Sequence, residues 1–210
     1  MKIKAVLFDM DGVLIEAKEW HYEALNKALS IFGYEINRYE HLTSYDGLPT
    51  SVKLKKLSME KGLPEELHEF INEMKQQYTI AMIYDCCRPR FNHEYALSRL
   101  KAEGYKLAVG SNSIRQTVLL MIEKARLTKY FDVLLSNQDV KQAKPSPEIY
   151  LTAMERLNVR PEECVIVEDN ENGIKAAIAS GGHVLPVKTV DDVTYAAIKA
   201  KICEVEGGKR

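Results

Sequence analysis

The sequence predicts a doubly wound α/β protein: a Rossmann-like parallel sheet, with an all-helical segment inserted after the first strand. Two observations carry this. Short apolar runs alternate with stretches of helical periodicity through the second half of the chain, as expected of strands covered on both faces by crossover helices. Between the first such run and the second, helical patterns follow one another with no strand-like run among them.

Taken in order, Ala5–Phe8, Leu107–Gly110 and Cys164–Val167 are predicted as buried strands, Val133–Leu135 as a shorter one and Val184–Val187 as a fifth. Helices are predicted over Ile114–Ala125, Pro147–Leu157 and Gly173–Ala179, and Gly104 is expected to end the helix before the second strand. In the insertion, Glu19–Phe32 places Trp20, Ala24, Leu25, Ala28 and Leu29 at helical spacing, and Ser51–Met59 and Glu65–Met82 continue the pattern. The expected division is a core domain of residues 1–15 and 90–210 and a helical domain of residues 16–89, with the closing GGKR as a frayed tail.

The chain has 210 residues, 46% of them hydrophobic, which is enough for a sizeable core. Its 29 Lys+Arg balance 30 Asp+Glu, so it lacks the basic footprint of a nucleic-acid or anionic-membrane binder. The Lys53-Leu-Lys55-Lys56 cluster reads as the solvated face of a helix. No stretch approaches the roughly 18 apolar residues of a membrane span. The N-terminal apolar run is broken by Asp9 and Asp11, unlike a signal peptide. Cys86, Cys87, Cys164 and Cys203 contain no C-x-x-C pair, and free thiols in a reducing cytoplasm are expected. Cys86 and Cys87 are read as packing residues near a hinge.

The chemistry lies where the strands end. In VLFDMDGVLI, Asp9 and Asp11 directly follow the first strand, although an unpaired buried carboxylate is very costly. Ser111-Asn112-Ser113 follow the second strand, Asp139 and then Lys144-Pro145 the third, and Glu168-Asp169 close the fourth. Ligands of open α/β sheets collect beyond these carboxyl ends. Ser113 is the expected cap of the helix that follows.

FDMDGVL resembles the first motif, D-x-D-G-x-[LVI], of the haloacid dehalogenase-like (HAD) phosphatases. LAVGSNS resembles their second motif, Lys144 in KPSPEIY the third, and VIVEDNENGIKAA the fourth. A small helical cap inserted after the first motif is similar to one subclass of that family. The resemblance implies that Asp9 attacks phosphorus to form an aspartyl-phosphate, and that Asp11 protonates the leaving alkoxide and later takes a proton from water. Gly12 permits the turn that brings amides to the phosphate. Ser111, the Asn112 amide and Lys144 would hold phosphoryl oxygens. Mg²⁺ is the implied cofactor, held by Asp9, the Asp11 carbonyl and Asp169, with Glu168 as a further ligand or an anchor behind them.

Asp11 argues against a dehalogenase, whose leaving halide needs no proton. The alternative is a phosphotransferase similar to β-phosphoglucomutase, because His21 falls where that enzyme has a cap-side histidine. Leu48, Pro49 and Thr50, however, stand where it carries G-x-S-R. Glu16, Trp20, His21, Tyr45, Asp46 and Thr50 are candidates to face the leaving group. Should Glu16 and Asp46 do so, a small amine-bearing ester is favoured, such as an amino-alcohol phosphate, or else a glycerol phosphate. The run WHYEALNKAL…SYDGLPT also resembles HAD phosphatases of bacterial surface-polysaccharide synthesis. The expected enzyme works on a small phosphomonoester as a monomer or weak dimer, with neither nucleic acid nor membrane as partner.

Overall fold

Four consecutive fully buried residues, Ala5–Phe8, form β1 at the centre of the sheet. A computed structural model describes residues 2–207. β2 (Lys106–Gly110), β3 (Val133–Leu135), β4 (Cys164–Glu168) and β5 (His183–Pro186) complete a five-stranded sheet in the order β3-β2-β1-β4-β5. Every pairing is parallel, with Val6 beside Leu107 on one side and Val165 on the other. β1 therefore has a neighbour on both edges and packing on both faces, which is why its sequence is continuously apolar.

The ends of the strands differ slightly from expectation. β2 begins at Lys106, whose exposed side chain breaks the apolar run. β5 is shifted one residue earlier, to His183, because an edge strand that is only half buried leaves a weak apolar signature.

The chain forms two compact units, one of residues 1–16 with 88–210 and one of residues 17–87. The helical unit contains α1 (Lys18–Ser30), the short α2 (Arg38–Glu40) leading into a π-helical turn His41–Tyr45, α3 (Thr50–Lys61) and α4 (His68–Cys86). α1 packs along α4, and Leu25, Leu29, Leu54, Leu57 and Ile71 form the unit's core. Sequence periodicity missed residues 38–45. Asn37 and Glu40 start that segment with a reciprocal capping box, a signal that was present in the sequence.

One lysine is misplaced by the sequence reading. Lys53 is not on a solvated face but buried on α3 beside Leu54 and Leu57. Helical spacing stacks residue 53 on Leu57 one turn later, on the buried side of α3, and tertiary packing closes over it.

In the sheet unit, α5 (Phe91–Ala102), α6 (Arg115–Lys124), α7 (Glu148–Leu157), α8 (Glu171–Ala179) and α9 (Tyr195–Val205) complete the architecture. α5 ends before Gly104, which adopts φ +85°. α7 lays Ile149, Tyr150, Ala153 and Leu157 onto a core shared with Leu7, Ala108 and Ile166. Each of the large side chains buried there contributes about 1.5–3 kcal/mol relative to exposure. Gly207, the first residue of the GGKR ending, lies in a turn, and the last three lie outside the described residues.

Candidate active site

The strand order reverses direction at β1 and β4, and side chains from the ends of those two strands meet there. Asp9 directly follows β1, and its N–H donates to the Val167 carbonyl at 3.0 Å. That bond extends the ladder one residue and fixes the position of the carboxylate. Asp9, Glu168 and Asp169 each bring a carboxylate oxygen to within 4.8 Å of the others.

Lys144 reaches into the same place from the loop after β3. Its Nζ donates to Asp9 Oδ1 at 2.6 Å and to Glu168 Oε1 at 2.7 Å, and all three side chains are buried. Burial works to lower the Lys144 pKa, but Asp9 and Glu168 outweigh it, so the ammonium is held above its ordinary range. Burial raises the Asp9 pKa well above the usual value. Lys144 opposes this, while Glu168, Asp169 and Asp11 reinforce it.

One lysine thus faces several carboxylates. A hard dication suits that donor set, because oxygen ligands and an excess of negative charge are what it requires. Asp9, Glu168 and Asp169 could hold such an ion. Glu168 already accepts from Lys144 and, through Oε2, from the Asp169 N–H at 3.2 Å.

The Asp11 side chain lies outside this carboxylate cluster. Its Oδ2 accepts from Ser113 Oγ at 2.9 Å and from Ser111 Oγ at 3.3 Å. Gly12, at φ +93°, makes the turn after it, and the Gly12 N–H donates to the Ile15 carbonyl at 2.7 Å.

Ser113 therefore is not the expected helix cap. The cap position belongs to Ile114, with no side-chain bond, and the Ser113 hydroxyl is directed to Asp11 instead. Asn112 bridges two motifs: its Oδ1 accepts from the Lys144 N–H at 3.0 Å and its Nδ2 donates to the Lys144 carbonyl at 3.4 Å. The side chain thereby anchors the lysine loop. Asp139 takes part in none of this, since it caps its own turn through Ser136 and pairs with Arg115 and Arg156.

Gly173 and Tyr150 were not recognised as site residues. A Cβ at Gly173 would overlap the Glu168 carboxylate, so the absence of a side chain on α8 makes the room that Glu168 occupies. Sequence periodicity marks Gly173 only as the start of a helix, whereas the neighbour it accommodates is this acid. Tyr150 belongs to the core stripe of α7, and its hydroxyl donates to Glu168 Oε1.

The remaining predicted contacts divide between the units. Glu16 is exposed and pairs with Arg90 at 2.8 Å, and Arg90 also holds Asp191 at 2.7 Å. In the helical unit, His21 Nδ1 lies 3.2 Å from the buried Lys75 Nζ. Asp46 lies 3.9 Å from His41 Nε2. Thr50 opens α3, Tyr45 is buried with its hydroxyl on Glu60, and Trp20 is half-buried. Lys75 carried no sequence signal beyond its place in a helical pattern.

Residues 6–187 match the haloacid dehalogenase-like hydrolase family. The chain is 32% identical over 184 residues to a phosphorylated carbohydrates phosphatase of Thermotoga maritima, covering 85% of this chain and 82% of that protein. It is 30% identical over 200 residues to a phosphoglycolate phosphatase of Aquifex aeolicus, covering 91% and 92% of the two chains. Among solved structures, a β-phosphoglucomutase from Clostridium difficile superposes with a TM-score of 0.84 over 98% of this chain and 99% of that one. At 23% identity, that likeness concerns the fold. No helix among the described residues is long and apolar enough to cross a membrane. The chain belongs to the haloacid dehalogenase-like hydrolase family and is an enzyme of its phosphatase group.

Proposed function

We propose that the protein is a Mg²⁺-dependent phosphatase that hydrolyses a small phosphomonoester through an aspartyl-phosphate on Asp9. The observation that carries this reading is the buried Asp9–Lys144 pair set among Glu168 and Asp169 at the strand ends. A carboxylate nucleophile and a phosphate dianion repel each other, so the site must supply positive charge where they meet. Lys144 is one such charge. Mg²⁺, held by Asp9 and Asp169 with the Asp11 carbonyl, would neutralise phosphoryl oxygens and orient them for in-line displacement.

The roles of the chain's own residues follow. An Asp9 oxygen forms a bond to phosphorus as the ester oxygen leaves, and the Asp11 carboxyl gives that oxygen a proton. Asp11 then takes a proton from the water that cleaves the acyl phosphate. Ser111 and the Asn112 amide hold phosphoryl oxygens, while the Asn112 side chain keeps the Lys144 loop in register.

For the leaving group we propose contacts from Glu16, His21, Asp46 and Thr50, and a small amino-alcohol or glycerol phosphate as substrate, in capsular or surface-polysaccharide synthesis. The pairing of Glu16 with Arg90 offsets its charge, so preference for an amine rests chiefly on Asp46. The proposed setting is the cytoplasm, which suits the free cysteines Cys86, Cys87, Cys164 and Cys203.

The deciding experiment measures phosphate release with and without Mg²⁺. Its panel holds phosphoethanolamine, serinol phosphate, both glycerol phosphates, several sugar monophosphates and β-glucose 1-phosphate. The expected result is Mg²⁺-dependent hydrolysis with a preference for one small ester. Conversion of β-glucose 1-phosphate to the 6-phosphate, with no hydrolysis of the panel, would replace this reading with a phosphotransferase like β-phosphoglucomutase.

A further inference from the structure

Tyr150 sits on α7 among Ile149, Ala153 and Leu157, facing the sheet, and is fully buried. Packing alone would be served by a phenylalanine, which fills the same space without burying a hydroxyl. A buried hydroxyl is costly unless it is hydrogen-bonded. Here it has one specific partner, Glu168 Oε1, the same oxygen that accepts from Lys144 Nζ at 2.7 Å. The tyrosine ring also lies 4.8 Å from that ammonium, within cation–π range.

We propose that Tyr150 is a positioning residue of the phosphoryl-transfer site: its hydroxyl fixes the Glu168 carboxylate that holds the Lys144 ammonium against Asp9. The restraint on Glu168 comes from several sides. Oε1 is held by Tyr150 and Lys144, Oε2 by the Asp169 N–H, and the carboxylate occupies the space left by the missing side chain of Gly173. With its carboxylate so held, Glu168 presents a fixed acceptor to one N–H of Lys144. Asp9 Oδ1 takes a second at 2.6 Å, which leaves the third for a phosphoryl oxygen. Without the hydroxyl, the carboxylate can turn about its last torsion, and the ammonium loses one fixed point of a two-point hold.

This proposal rests on the phosphatase reading above, but its most direct test does not require turnover. The buried Lys144 ammonium of the full-length wild-type protein should give a resolved, slowly exchanging ¹H–¹⁵Nζ signal, assigned by its loss in Lys144→Met. In Tyr150→Phe that signal should broaden or exchange faster. Inhibition by orthophosphate should weaken about tenfold, as expected when a hydrogen bond to a charged group is lost. Mg²⁺ affinity by calorimetry should stay within a few-fold of wild type.

An ammonium signal unchanged in Tyr150→Phe would overturn the proposal. So would a loss of Mg²⁺ affinity as large as the loss of phosphate affinity, because Tyr150 would then act on the metal ligands. Should Tyr150→Phe fail to fold, the wild-type signal decides: exchange as fast as a surface lysine's means that Lys144 is not held as described. If the wild type hydrolyses no phosphomonoester while the ammonium signal behaves as expected, the phosphatase reading fails and the Tyr150 contact stands.

Discussion

Lys144 Nζ lies 2.6 Å from Asp9 Oδ1, and both side chains are almost wholly buried although they come from loops 135 residues apart in sequence. The pair solves the problem of placing a carboxylate beyond the most apolar strand of the protein. It also brings a cation to the atom proposed to attack phosphorus.

Removing the lysine leaves that carboxylate beside Glu168 with no ammonium between them. Lys144→Met should lower kcat at least about a hundredfold, the scale seen when one charge-stabilising donor is lost. It should also destabilise the protein by about 3–5 kcal/mol, the usual cost of breaking a buried ion pair from one side. Denaturant melts with and without Mg²⁺ provide the check, and the loss should be smaller with the metal. An unchanged midpoint without metal would show that the pair carries no such energy.

Ser113 holds the carboxyl proposed to protonate the leaving group, so its loss should matter only where a proton is needed. Ser113→Ala should slow hydrolysis of an alkyl phosphate about tenfold while leaving p-nitrophenyl phosphate within about twofold, because nitrophenolate departs without a proton. Comparison of kcat/KM for the two esters tests this. Equal losses on both would assign Ser113 to phosphate binding instead.

Gly173→Ala places a methyl group where the Glu168 carboxylate lies. The acid is packed under α8, so relief would have to come from moving the carboxylate or the helix. The expected cost is at the upper end of about 1–3 kcal/mol for overpacking, with loss of activity. Thermal melting and phosphate release read both effects. A fully active, equally stable variant would mean that Glu168 has another place to go.

His93 is buried, and its Nε2 is 2.7 Å from the Val190 carbonyl. Burial pushes its pKa below the ordinary value, helped by nearby Arg90, against the opposing pull of backbone contacts with Val190 and Leu14 and of Asp191. The unfolded chain, with a pKa near about 6.5, then binds more protons than the native state. Stability from this group is fully present above that pH and declines as pH falls through it toward the folded pKa. His93→Gln should flatten the fall in unfolding free energy between about pH 7 and pH 5. His41 in the helical unit is shifted the same way, so part of the slope should survive. An unaltered slope in His93→Gln would show that His93 does not contribute to it.

Much of the sheet unit was legible in the sequence, for a definite reason. Strands buried on both faces must be continuously apolar, and charged or polar groups at their ends must have a purpose. The chain order therefore places Asp9, Lys144, Glu168 and Asp169 together beyond the carboxyl ends of the strands. Ser113 was misassigned because a serine before a helix fits a cap as well as a bond to a distant acid. Lys53 was misassigned because local charge density says nothing about which helix face is covered.

By itself, then, the sequence determined the fold class, the family motifs and the groups that gather at the carboxyl ends of the strands, since these depend on local periodicity and chain order. The tertiary structure alone decided that Ser113 serves Asp11, that Gly173 makes room for Glu168, and that the Tyr150 hydroxyl reaches that same carboxylate. Those relationships are contacts of a few ångströms between residues of separate elements. No sequence period encodes them, because they arise only when the strands and helices pack to native density.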